Sequence, residues 1–314
     1  MKRLVLGLDT SNYTTSVAWF DGTKGENRGR LLQVRPGELG LRQSDALFQH
    51  VRGLPPLMEE LTASLPDRVW SAVGASTRPR AVEGSYMPCF LAGASQGQVL
   101  SSTLGVPFYA FSHQQGHLAA AAWSAGELEL LDRPFLAWHL SGGTTELLLV
   151  RPEENGPAVE AEILGGTQDI SAGQLIDRTG VLLGCAFPAG KAVDELSGQS
   201  QSREAFPVKI KGLSFSLSGV ENQVKARVER GEQAADVAAF ALETVCRTVL
   251  RTTQAAMEQY PGLPVLCSGG VASNRRLRTV MEAVEARFAQ PCYSTDNAMG
   301  TAILTWRALE REEG

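Results

Sequence analysis

A chain of 314 residues is long enough for two domains of ordinary size, and its 43% apolar and 20% charged residues are the balance of a soluble globular protein. A net charge of −5 argues against a self-sufficient nucleic-acid binder. No apolar run approaches bilayer-spanning length, and Asp9 ends the apolar stretch behind the Lys2-Arg3 pair too early for a signal peptide, so a cytoplasmic protein with no membrane role is expected.

In chain order, residues 4–22 read as a tight β-hairpin whose turn, Asp9-Thr10-Ser11, offers hydroxyls and backbone N–H groups. Leu47, Val51, Leu54, Leu57 and Leu61 recur at helical spacing, and Pro55-Pro56 is expected to split that stretch into two helices. A strand at 70–75, a helix at 91–104, a strand at 106–111 and an alanine-rich helix at 113–125 follow. A second hairpin at 135–152 turns through Ser141-Gly142-Gly143-Thr144-Thr145 and repeats the design of the first. Beyond it lie a strand at 159–164, a helix at 171–183, a long helix at 232–260, a strand at 264–267, a helix at 274–288 and a last helix from 297, with 310–314 left unstructured. This mixture is an α/β fold. The expected domains are 1–128 and 129–296, with 297–314 returning to pack on the first. Five scattered cysteines without a CxxC pair argue against disulfides or cysteine-held zinc, and Cys267, behind Val265 and Leu266, reads as a buried thiol.

His113-Gln114-Gln115-Gly116-His117 places two imidazoles four residues apart, on one helix face, where they fit one metal ion or are two surface histidines without a ligand. Gln114 stands where a zinc peptidase needs a glutamate base, which weakens a peptidase reading. Ser268-Gly269-Gly270 leads from a strand into a helix capped by Ser273 or Asn274; such a turn suits a nucleotide phosphate, or is an ordinary connection. The two hairpin turns are open to the same pair of readings. Asp177 and Asp194 stand in apolar surroundings, and Asp296 is either a helix cap, a metal ligand or a ribose partner.

These motifs, in this order, resemble the TsaD family, the universal tRNA threonylcarbamoyladenosine synthases once described as O-sialoglycoprotein endopeptidases. The family's HxxGH is similar to residues 113–117, its Ser-Gly-Gly hairpin to "LSGGTTEL", its AGEAFDKxAxLLG to "AGQLIDRTGVLLG", and its PGGxxxD to "PAGKAVD". Its FSFSGLK resembles "LSFSLSGVE", its GGVxxNxxLR "GGVASNRRLR", and its TDNxAM "STDNAMG". The resemblance implies the two-domain actin-like ATPase fold of actin, sugar kinases and heat-shock chaperones, with RNase H-like halves and ligands in the cleft. It implies one divalent metal, iron or zinc, on His113, His117 and Asp296. It implies ATP, ADP or threonylcarbamoyl-adenylate on His139, Leu140, Ser141, Gly142, Gly143, Asp177, Gly190, Asp194 and Asn274, and assigns no proton-transfer residue. The implied reaction moves a threonylcarbamoyl group to the exocyclic amine of the adenosine beside a tRNA anticodon, with TsaB-like and TsaE-like partners. Net charge −5 predicts that tRNA binds weakly without such help, although Arg275, Arg276 and Arg278 could form a local basic patch.

The chain departs from the family at three places. Tyr13 and Thr14 replace an acidic pair, Thr144 replaces the histidine after Ser-Gly-Gly, and residues 77–90 lack the family's Gly-Pro-Gly character. The first segment is also similar to TsaB, which lacks the histidine pair. Two alternatives therefore stand beside the transferase: a carbamoyltransferase on another acceptor, and a non-catalytic metal- and nucleotide-binding scaffold.

Overall fold

The computed structural model describes residues 2–11, 13–34, 41–65 and 67–314. The chain divides into two compact units, one of Met1–Arg133, Arg151–Glu160 and Thr295–Gly314, the other of Pro134–Val150 and Ala161–Ser294. Residues 151–160, inside the stretch 129–296, thus group with the first unit.

The first unit opens with strands β1 (Lys2–Asp9), β2 (Thr14–Phe20) and β3 (Gly25–Leu31), followed by α1 (Gln43–Ala63), β4 (Arg68–Arg78), α2 (Phe90–Leu104), β5 (Phe108–Ser112) and α3 (His113–Ser124). The five strands form one sheet in the order β3-β2-β1-β4-β5. β1 lies between an antiparallel partner, β2, and a parallel one, β4. Leu6 and Leu8 on one face and Val5 on the other are all buried, as in a strand covered on both faces. β3 has no apolar alternation and escaped sequence reading; it pairs along its whole length with β2.

α1 is one helix, not the expected two, with Pro55 and Pro56 inside it. Each proline removes a backbone donor, but Val51 and Arg52, whose carbonyls lose partners, are on the exposed side, where water can satisfy them. Leu54, Leu57 and Leu61 remain buried against the sheet and hold the helix in register across the prolines.

The second unit comprises β6 (Phe135–Leu140), β7 (Thr145–Pro152), β8 (Val159–Thr167), α4 (Ala172–Leu182), α5 (Gly190–Ser197), β9 (Ile210–Lys211), β10 (Ser214–Phe215), α6 (Ser218–Glu229), α7 (Ala234–Gln259), β11 (Val265–Ser268), α8 (Arg275–Met281) and β12 (Arg287–Phe288). Its sheet runs β12-β11-β6-β7-β8-β10-β9. β6 again lies between an antiparallel hairpin partner, β7, and a parallel strand, β11. The helix expected over 274–288 stops at Met281: a short 3-10 turn follows, Glu285 takes φ 51°, and the chain re-enters the sheet as β12. The core is centred on Trp138, which is fully buried and donates from Nε1 to Thr253 Oγ1 at 2.8 Å. Thr253→Val keeps the shape but orphans that indole N–H. A stability loss of about 1–3 kcal/mol is expected, measurable as a lowered unfolding midpoint in urea. Cys267 is buried, and burial pushes its thiol up to about 12.

The last helix, α9 (Met299–Glu313), belongs to the first unit. It continues through 310–313, expected to be unstructured, and Arg3 pairs with Glu313 at 2.6 Å. α9 lies directly on β1: a Cβ on Gly7 would collide with the Ala302 nitrogen and the Ala298 oxygen. Among the described residues no helix is long and apolar enough to cross a membrane.

Candidate functional site

In the first unit, α3 and α9 meet backbone to backbone. A Cβ on Gly300 would strike the Gly116 carbonyl, so the glycine at 300 permits an approach that any larger residue there would forbid. Gly116 lies between His113 and His117, and Gly300 lies just beyond Asp296. Their contact therefore brings Asp296 to the histidine face of α3. A capping box, Ser112 Oγ accepting from Gln115 N and Gln115 reaching back to Ser112 N, fixes where α3 begins and hence the direction of His113.

The result is a group of three possible metal ligands, His113, His117 and Asp296, whose ligand atoms lie within 4.8 Å of one another. Asp296 Oδ1 is 3.4 Å from His113 Nε2 and 3.3 Å from His117 Nε2. The two imidazoles meet edge to face, with centroids 4.2 Å apart. Asp296 does not cap α9: it is Asn297 that accepts from the Met299 amide. The other nitrogen of His113, Nδ1, lies 2.8 Å from Asp9 Oδ2. In sequence Asp9 belongs to a turn suited to phosphate; in the fold its carboxylate faces His113.

Burial works against charge on His113, but Asp9 and Asp296 override it and raise the imidazole to about 10. Burial likewise opposes the charge of Asp296, and the two histidines overcome it, holding its carboxyl well below the usual range. Without metal, a proton thus satisfies two carboxylates, and a divalent cation would replace that proton. Two imidazoles and a carboxylate are a donor set that suits zinc or iron and leaves coordination positions open.

In the second unit, the turn between β6 and β7 is closed by Ser141 N donating to Thr144 O and Thr144 N donating to Ser141 Oγ. The Thr144 side chain contributes nothing to that closure. α4 begins against the turn: Ser171 donates to Gly142 O at 2.7 Å and caps its own helix with Gln174. Cβ atoms built on Gly142, Gly143, Gly190 and Gly270 would meet nothing within 4 Å, so these backbones can be approached closely.

Asp177 Oδ1 accepts from Ala189 N at 2.7 Å, just ahead of Gly190, which opens α5. Asp194 is fully engaged: Oδ1 accepts from Asn274 Nδ2 at 2.8 Å and Oδ2 from Arg275 Nε at 3.0 Å. Asn274 also caps α8 through Leu277 N. His139 lies on β6 beside Ser268 of β11, and Leu140 is buried at the end of β6. The three arginines that could form a basic patch are all hydrogen-bonded within the protein. Arg276 pairs with Glu243, and Arg278 donates to Ala272 O and Ala289 O, leaving only Arg275 largely exposed.

A family model for TsaD, tRNA N6-adenosine threonylcarbamoyltransferase, matches residues 44–303. A Thermus thermophilus protein named tRNA N6-adenosine threonylcarbamoyltransferase is 31% identical, over 98% of this chain and 93% of that one. This chain belongs to the TsaD family.

Solved structures at lower identity share the fold. HypF in its phosphate- and nucleotide-bound form matches with a TM-score of 0.59 at 13% identity, over 99% of this chain and 56% of that longer one. A ROK family glucokinase from Streptomyces griseus, in complex with glucose and AMPPNP, matches with a TM-score of 0.53 at 12% identity, over 97% and 99%. The fold is the α/β, actin-like architecture that the TsaD resemblance implies. In this TsaD member the family's HxxGH motif sets two imidazoles on one helix face, and the glycine at 300 lets α9 bring Asp296 to them.

Proposed function

We propose that this chain catalyses the family reaction, transfer of the threonylcarbamoyl group of threonylcarbamoyl-adenylate to N6 of the adenosine beside a tRNA anticodon. The amine forms a bond to the carbamoyl carbon, the bond from that carbon to the adenylate phosphate oxygen breaks, AMP leaves, and the amine gives up one proton. The observation that carries this reading is the gathering of His113, His117 and Asp296 at one point in a chain that matches the family almost end to end. A bound iron or zinc ion would supply Lewis-acid polarisation of a carbonyl oxygen.

The chain's own residues have separable tasks. The open backbones of Gly142, Gly143 and Gly270 receive the phosphate of an adenylate, ATP or ADP. Asp177, whose Oδ1 is held by Ala189, turns its second oxygen to ribose hydroxyls. Asp194, set by Asn274 and Arg275, holds α5 and α8 together, so Gly190 and Asn274 keep their places beside the nucleoside. Because Thr144 cannot carry charge or act as a base near neutral pH, tRNA modification is slower than in members with histidine there. With all three arginines partnered internally and only Arg275 largely exposed, tRNA is held weakly by the chain alone and tightly with a TsaB-like partner; a TsaE-like protein completes the system.

Incubation with threonine, bicarbonate, ATP, tRNA and the partner proteins, followed by nucleoside analysis, tests the reaction. Threonylcarbamoyladenosine that disappears when this chain is omitted supports it. Carbamoylation of a different acceptor would replace it with the carbamoyltransferase. Asp177→Ala is expected to weaken adenylate binding about tenfold or more, the loss of one charge-assisted bond, in a calorimetric titration. Undiminished affinity would remove Asp177 from the ribose.

A further inference from the structure

β1 ends on Asp9, a carboxylate 1% exposed. Burial of such a charge is strongly unfavourable unless both oxygens are satisfied. Here both are: Oδ1 accepts from the Ser11 amide at 2.8 Å, and Oδ2 lies 2.8 Å from His113 Nδ1. The strand that carries Asp9 is the middle one of five, paired on both sides. The helix that carries His113 starts at a fixed residue because of its capping box. Neither side of the contact can drift.

An imidazole offers one nitrogen to a metal, and the partner of the other nitrogen decides which one it is. We infer that Asp9 is the positioning residue of this metal centre: it accepts the Nδ1 proton of His113 and so leaves the Nε2 lone pair aimed at the ion shared with His117 and Asp296. The inference rests on the metal reading under Proposed function. Asp9 touches neither the ion nor the substrate; it acts through His113, from a hairpin whose sequence suggested phosphate binding.

The test uses the full chain, stripped of metal and titrated with Zn2+ against a chelator of known affinity. Wild type binds one ion, and Asp9→Ala binds it roughly 10- to 100-fold more weakly, the usual effect of losing an outer partner of a histidine ligand. Asp9→Asn, which keeps an oxygen for the Nδ1 proton, lies between the two, at roughly a 3- to 10-fold loss. In 15N-edited spectra of the zinc-loaded protein the His113 Nδ1–H signal persists in Asp9→Asn and is lost or exchange-broadened in Asp9→Ala. A folded Asp9→Ala with wild-type affinity overturns the inference alone. If Asp9→Ala fails to fold, Asp9→Asn decides, and unchanged affinity there overturns it. A wild-type chain that takes up no zinc or iron defeats the metal reading, and the inference falls with it.

Discussion

His117→Ala is expected to leave the purified protein with little or no bound metal while its fold survives. His117 is one of three donors, and its Nε2 faces the same Asp296 oxygen as that of His113. Removing a direct ligand has a larger effect than removing an outer partner, so the dissociation constant should rise by more than ~100-fold. The helix itself should tolerate the change. Alanine is the best helix former, α3 already holds a run of buried alanines at 119–122, and the capping box lies a full turn away. Elemental analysis beside a thermal melt separates the two effects. Equal metal occupancy in wild type and variant would remove this cluster as the site, whatever the activity. Loss of metal with transfer activity intact would leave the metal in a purely structural role.

Gly269→Ala is expected to damage fold and nucleotide binding together. Gly269 sits at φ 95° and ψ 163°, a region that only glycine occupies readily. A Cβ there would also run into the carbonyl oxygen of Leu140, a backbone atom at the end of β6 that cannot move without opening the β6–β11 pairing. The backbone strain alone is about 1–3 kcal/mol, and the collision adds to it. For a unit of this size each kcal/mol lowers the melting temperature by roughly 2–4 °C. Leu140 leads directly into the Ser141-Gly142-Gly143 turn, so relief of the collision displaces the backbone expected to meet phosphate, and adenylate affinity should fall by tenfold or more. Gly270→Ala is the control, since its Cβ would meet nothing within 4 Å. It should melt like wild type, and a loss of nucleotide affinity without a loss of stability would place ligand against that backbone. A Gly269→Ala protein as stable as wild type would mean that the Leu140 carbonyl is free to move.

Much of the molecule was legible in the sequence because it is set by short-range rules. The helices from His113 and from Ala172 follow from composition and spacing, and the cap at Asn274 is one of the two that a polar pair ahead of a helix offers. The histidine pair at i, i+4 is fixed by helix geometry alone, and the two hairpins by alternation around Ser/Gly-rich turns. Tertiary structure decided the remainder. Pro55 and Pro56 stay inside one helix because buried Leu54, Leu57 and Leu61 outweigh the lost donors; the chain after Met281 leaves the helix because β12 finds a partner in β11. Asp296 and Asp9 look like a cap and a turn residue in their own neighbourhoods, and no local rule says otherwise. Only the close approach of α9 to α3 at Gly300 brings Asp296 to the histidines, and only the central place of β1 in its sheet brings Asp9 to His113 from 104 residues away. A local pattern can supply two ligands on one helix face, but the third ligand and the carboxylate behind the first depend on contacts that exist only once the sheet and the helices across it have packed.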